Sequence, residues 1–204
     1  MLHVSQKIPN KIFLACSGGI DSMVVLDFLT QYSKRDLEII HINHGTEHGK
    51  EAEDFVSEMC FEKGLKMNIH RIFSDKPKKE SWEEFWRNER YKYFHSFSEQ
   101  VITAHHLNDV VEFYILSCLR GGGKLMNDVN QNVIRPFLLT PKSEFISWAD
   151  RKEVKYIQDE SNFENVHDRN IVRNEMMKTI LKINPGIEKT VKKMLLKRKE
   201  SKND

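Results

Sequence analysis

From residue 11 to about residue 152, short apolar runs alternate with stretches whose apolar residues recur at helical spacing. The runs cover 11–16, 37–42, 66–73, 100–105 and 132–137, and read as five strands. Between them, 20–32, 50–63, 81–97 and 107–119 read as helices. Thr140-Pro141 looks like an N-cap with proline at the first helical position of a further helix ending near residue 152. Regular strand–helix alternation admits few folds. It predicts an α/β chain with a parallel five-stranded sheet and helices on both faces. After residue 150 the texture changes to a polar stretch. Two more helices, about 170–182 and 186–199, flank Asn184-Pro185-Gly186.

Composition excludes several classes. Of 204 residues, 39% are hydrophobic, enough to build a core. No apolar run approaches the ~20 residues of a membrane helix. The N-terminus lacks an apolar stretch of signal-peptide type, so a cytoplasmic location is expected. Cys16, Cys60 and Cys118 are far apart and form no CxxC, which argues against a disulfide framework or a cysteine-based metal site. The net charge of +2 hides an asymmetry: 151–204 carries +5 and 1–150 carries −3. A polyanion would prefer the basic end, although a solvated basic helix has the same composition.

In an open parallel sheet, ligands bind beyond the carboxyl ends of the strands. The distinctive polar clusters fall there. Ser17-Gly18-Gly19-Ile20-Asp21-Ser22 follows the first strand and opens a helix. Two glycines permit a tight turn and close backbone approach, and a helix start offers unpaired N–H groups and a positive dipole end. The serines add hydroxyls. Such a loop suits phosphate. Asp21 would repel bare phosphate, and a Mg²⁺ ion bridging carboxylate and phosphate would remove that conflict. The pattern is neither GxxxxGK[ST] nor GxGxxG. His44, in the segment after the second strand, joins residues 17–22 as a candidate nucleotide contact.

His105 ends the fourth strand, and Asp109 and Glu112 lie three apart on the following helix. These three and Asp21 are the catalytic candidates, with Asp21 and Asp109 the metal candidates. Arg87 and Arg90 share a helix face, as do Arg169 and Arg173, and Arg120 ends the 107–119 helix. They could grip phosphates or pair with surface carboxylates such as Glu83 and Glu89. Trp82, Phe85, Trp86, Tyr93 and Phe97 at helical spacing read as core packing rather than as a base-stacking surface.

The hexapeptide 17–22 resembles the signature of the N-type ATP pyrophosphatases, or PP-loop enzymes. The ordered set of His41-Ile-Asn-His-Gly45, Glu83 to Tyr91, His105-His106-Leu-Asn-Asp109, Glu112, Arg120-Gly121, Ile134-Arg135-Pro136, Asp159 to Asn162 and Arg169-Asn-Ile-Val-Arg173 resembles the tRNA(Ile)-lysidine synthetase family. Asn108 departs from the aspartate usual there.

That resemblance implies a Rossmann-like ATP-binding domain over 1–140 and a helical extension with a basic tail over 141–204. It implies ATP and Mg²⁺ as cofactors, and tRNA(Ile) and free L-lysine as partners. The implied reaction adenylates C2 of the wobble cytidine of a CAU anticodon and attaches lysine. The chain then reads as a catalytic core without further tRNA-binding domains, for which a homodimer would add RNA surface. Two alternatives stay open: another PP-loop tRNA modifier such as a thiolase, or a non-catalytic nucleotide- or tRNA-binding relative.

Overall fold

A computed structural model describes residues 2–32, 35–158 and 168–201. The apolar runs form β1 (Lys11–Ala15), β2 (Asp36–Asn43), β3 (Lys66–Arg71) and β4 (Gln100–Ile102). The expected fifth strand is a short hairpin, β5 (Val129–Asn130) and β6 (Val133–Ile134). The sheet therefore has six strands, in the order β3-β2-β1-β4-β6-β5, and β5 pairs antiparallel at its edge. Arg135 and Pro136 follow β6 at once, and proline has no N–H for a continuing ladder. Gln131, at φ 52°, makes the turn that doubles the chain back.

Alternation within the strands sends neighbouring side chains to opposite faces. Ile12, Leu14, Ile39, Ile102 and Ile134 pack with α1 (Ile20–Tyr32), α2 (Glu47–Glu62) and α5 (Lys142–Lys152). Phe13, Ile40, Val101 and Val133 pack on the other face with Phe94 of α3 (Trp82–Phe94). Thus α5 contributes Phe145, Trp148 and Ala149 to the main core.

A second core forms away from the sheet. Leu107, Val110, Val111 and Ile115 of α4 (Leu107–Leu119) meet Val172, Val191 and Leu195. The last two belong to α8 (Ile187–Glu200), while Val172 opens a π-helical segment, Val172–Met176, between α6 (Asp168–Ile171) and α7 (Met177–Ile183). The expected helix over 170–182 is therefore interrupted, although its extent is close.

Helix starts follow the capping residues. The Thr46 hydroxyl accepts from Gly49 N and starts α2 three residues before the expected 50. Ser81 caps α3. Thr140 does not cap α5. It is buried, and its hydroxyl donates to the His3 carbonyl at 2.7 Å, so Pro141 takes the N-cap position without a side-chain bond. Asn108 accepts from Lys142 N at 2.9 Å and donates to Glu188 at 2.8 Å, which ties α4 to α5 and α8. An aspartate there could not donate to Glu188, which gives Asn108 a structural reason.

Candidate active site

β1 has β2 on one side and β4 on the other, so the chain reverses its order of travel between β1 and β4. The crevice beyond the strand ends lies at this switch point. A cavity of about 330 Å³ opens there. Ser17, Asp21 and Ser22 line one wall, and Arg90, Tyr91, Thr103, His105 and Asp109 line the others, with His44 at the β2 end.

The 17–22 loop is organised by its own side chains. The Ser22 hydroxyl donates to Gly19 O at 2.9 Å and accepts from Ser17 N at 3.2 Å, and the two serine hydroxyls lie 3.3 Å apart. Gly18 has φ 86°, and a Cβ there would sit 3.1 Å from Ile157 Cδ1. Ile157 N donates to Gly18 O at 3.0 Å, so the strap after α5 clamps the turn. The first amides of α1 have no carbonyl partner within the helix and point an N-terminal dipole into the crevice. The buried His41 ring bonds the Cys16 carbonyl through Nδ1 at 2.9 Å and fixes the strand end below the loop. Burial pushes the Cys16 thiol up, so it remains protonated in the cavity wall.

Asp21 is held by the Lys142 ammonium and by the His106 ring, whose Nε2 lies 3.6 Å from Oδ1. Burial pushes its carboxyl up, but His106 and Lys142 outweigh burial and hold it below the usual carboxylate range. His106 also forms a capping box with Asp109. Asp109 N donates to His106 Nδ1 at 3.4 Å, and His106 N donates to Asp109 Oδ2 at 2.8 Å. Nδ1 meets the start of α4, and Nε2 faces Asp21. One buried imidazole thus joins the two metal candidates. Sequence reading passed over it, although His-x-x-Asp before a helix has capping-box spacing.

Asp109 and Glu112, both buried, face Arg169 and Arg173. Arg169 donates to Asp109 at 2.8 Å and to Glu112 at 3.3 Å. Arg173 binds Glu112 through both carboxylate oxygens at 2.8 Å. Burial pushes the Asp109 carboxyl up, and His106, Arg169 and His105 overcome it, leaving it far below the usual range. His105 bonds Thr103 Oγ1 through Nδ1 at 2.8 Å. Burial, with Arg169, Arg135 and Arg90 nearby, outweighs Asp109 and lowers its imidazole to about 3. At neutral pH His105 is an uncharged ring.

The predicted arginines separate. Arg90 lines the cavity, and burial lowers its guanidinium. Arg87 lies over the Tyr91 ring, 5.0 Å from its centroid. Arg120 is outside the cavity lining and pairs with Asp168 at 2.6 Å, both largely exposed. Lys142 has no signal in the sequence, and Arg135, quoted there only within Ile134-Arg135-Pro136, gains a role. Arg135 donates to the Tyr91 hydroxyl at 2.7 Å and to Asn127 O at 2.6 Å. Asp159, Ser161 and Asn162 lie outside the described residues.

A magnesium ion fits this donor set through Asp21. Mg²⁺ uses one or two carboxylates and completes its shell with phosphate oxygens and water. Asp21 sits beside the phosphate-type loop with both of its contacts, Lys142 and His106, on Oδ1, whereas Asp109 has Oδ1 engaged by Arg169 and Oδ2 by His106. Among the described residues, no helix is long and apolar enough to cross a membrane.

Comparison with known proteins agrees with this geometry. The chain matches the PP-loop domain over residues 2–180. It is 30% identical over 198 residues to a tRNA(Ile)-lysidine synthase from Nitrosomonas europaea, covering 89% of this chain and 43% of that protein. It is 34% identical over 191 residues to the tRNA(Ile)-lysidine synthase of Buchnera aphidicola, covering 86% and 43%. The chain therefore spans less than half the length of these curated relatives. Among solved structures, the U34-tRNA thiolase NcsA from Methanococcus maripaludis superposes with a TM-score of 0.74 at 21% identity, covering 95% of this chain and 74% of that one. The NH3-dependent NAD synthetase of Campylobacter jejuni gives 0.53 at 17%, covering 94% and 86%. These two likenesses concern the fold. With its 17–22 loop at the switch point and the family match across most of its length, the chain belongs to the PP-loop domain family.

Proposed function

We propose that this chain carries the ATP-dependent chemistry of tRNA(Ile)-lysidine synthesis in the cytoplasm. The C2 oxygen of the wobble cytidine attacks the α-phosphate of ATP and pyrophosphate leaves. The ε-amine of free L-lysine then attacks C2, and AMP leaves with the oxygen. The observation that carries this reading is the cavity, which sets a phosphate-type loop opposite Arg90, Tyr91 and His105.

In this reading the loop amides and the serine hydroxyls hold the departing pyrophosphate. Asp21 would hold a magnesium ion, which would supply positive charge against the phosphates. Lys142, already beside Asp21, is placed to turn to the phosphates when nucleotide enters. Asp109 and Glu112 act as positioning residues that aim Arg169 and Arg173 from the helical segment toward the crevice. His105 offers a neutral hydrogen-bonding ring to the base.

The lysine ammonium must lose a proton, and its free pKa is ~10.4. Asp21, His105 and Asp109 are all held as weak bases. The proton then leaves to solvent. The rate at subsaturating lysine should rise about tenfold per pH unit between pH 7 and 9. A plateau near pH 7 would mean that a general base of higher pKa acts.

The direct test incubates the protein with total tRNA, Mg-ATP and labelled lysine. Mild base then strips aminoacyl esters. Label that remains in tRNA, and that is lost in Asp21→Ala, supports the reading. Pyrophosphate release that needs tRNA but leaves no label overturns lysine as the amine and keeps adenylation. Absence of both, with a control enzyme active, favours a binding relative.

A further inference from the structure

Trp82 and Trp86 belong to none of the three core clusters. Phe85 between them is the buried member of the helix face, at 5% exposure. Trp82 is 51% exposed. Its ring packs on Trp86 at 5.3 Å and 34°, and Trp86 packs on His44 at 5.1 Å and 36°. His44 lines the cavity. Three rings therefore step from open surface to the cavity edge. Phe85 meets Trp82 edge-on at 6.0 Å, which fixes the outer ring before any ligand arrives. The core-packing expectation holds for the buried Phe85 and for Tyr93 and Phe97, which pack against a core cluster, and fails for exposed Trp82; Trp86 is half-buried outside the clusters.

Basic groups border the rings. The Lys76 ammonium sits over the Trp82 ring, 5.4 Å from its centroid, and Lys78 and Lys79, close to it in sequence, are exposed. Arg87 and Arg90 follow along the same helix. Glu80, Glu83 and Glu84 stand here too, so charge alone does not make an anion surface. Aromatic faces interleaved with cations are how proteins hold single-stranded nucleic acid: each base stacks, and the cations meet the backbone. Duplex RNA hides its base faces and could not use the rings.

We propose that Trp82, Trp86 and His44 form a stacking ramp that leads unpaired bases of a single-stranded RNA segment into the cavity. The ramp deepens the tRNA-modification reading and rests on it for the identity of the RNA. The rings hold the bases, while the five named cations, set against three carboxylates, meet the backbone, so binding weakens as salt rises.

The test measures binding of a seven-residue single-stranded RNA by quenching of tryptophan fluorescence. Trp148 is buried at 2% exposure, so the quenched signal comes from the ramp. An abasic backbone of equal length and a duplex of equal length are the controls. The ramp predicts binding of the single strand at least about 10-fold tighter than either control. Trp82→Ala should weaken it about 5- to 100-fold, and Trp82→Phe should keep most of it. In the complete reaction, Trp82→Ala should raise KM for tRNA and leave kcat at saturation near wild type. Equal affinity for the abasic backbone, or wild-type affinity in Trp82→Ala, would overturn the ramp. Ring-dependent RNA binding without lysine transfer would leave the ramp standing and defeat the lysidine reading. Lysine transfer with an unchanged KM in Trp82→Ala would do the reverse.

Discussion

The 17–22 loop and the arginine–carboxylate cluster face the same crevice but are built on opposite plans. Within the loop, the serine hydroxyl bonds join residues two to five apart in sequence, and Asp21 reaches out of it, to Lys142 and His106. The cluster joins Asp109 and Glu112 to Arg169 and Arg173 across 57 to 64 residues. The serine-bonded turn takes its shape with β1 and α1, and Ile157 N only clamps it from outside through Gly18 O. The cluster exists only when the helical segment docks on α4, and its charges are buried there. Loss of one partner should therefore cost far more in the cluster than in the loop.

The largest effect is expected at Glu112. Glu112→Gln leaves two guanidinium groups facing an amide, and breaking a buried pair costs several kcal/mol. Arg173 is 36% exposed, which reduces this to about 2–3 kcal/mol. Tm should fall by about 4–12 °C in thermal denaturation. A shift near zero would show that apolar packing alone holds the segment.

Gly18→Ala sharpens the other side. A left-handed φ costs a non-glycine residue about 1–2 kcal/mol, and the new Cβ also presses on Ile157. Stability should drop by about that amount, and calorimetric ATP affinity should drop with it. Unchanged ATP affinity would remove the turn from nucleotide binding.

A smaller effect belongs to His105. Its folded pKa of about 3 lies below the free value of 6.5. The unfolded chain therefore takes up the proton first as pH falls. Stability from the neutral ring is complete above about 6.5 and is lost as pH descends toward 3. Between pH 7 and about 5.7, wild type should lose about 2–4 °C more in Tm than His105→Gln. Burial lowers His41 in the same direction, and it is present in both proteins, so it cancels from the difference. Equal pH profiles would mean that the ring titrates near its free value.

Arg120→Ala should change stability least, by less than about 0.5 kcal/mol. Its pair with Asp168 is exposed on both sides, at 65% and 62%. A loss as large as that at Glu112 would erase the distinction between exposed and buried pairs.

This contrast explains what sequence could reveal. The strands, the helices and the loop are local, and apolar period, glycines and capping spacing announce them. β5 is two residues long and pairs antiparallel, so no run of apolar residues marks it. Asp21, His105, Asp109 and Glu112 stand out in the sequence because they lie just after a strand or in the first turns of a helix. Their pairings do not. Lys142 reaches Asp21 from 121 residues away, and no spacing signals that contact. The arginine pairs at 87/90 and 169/173 look alike in sequence. Only tertiary packing sends one to the Tyr91 side of the cavity and the other to the carboxylates.

The central claim is that the loop at the switch point works on nucleotide phosphates. It is tested most directly by pyrophosphate release from Mg-ATP in the presence and absence of tRNA, in wild type and in Asp21→Asn. The account predicts release that requires tRNA and falls at least about 100-fold in the variant. Release at the wild-type rate in Asp21→Asn would contradict it.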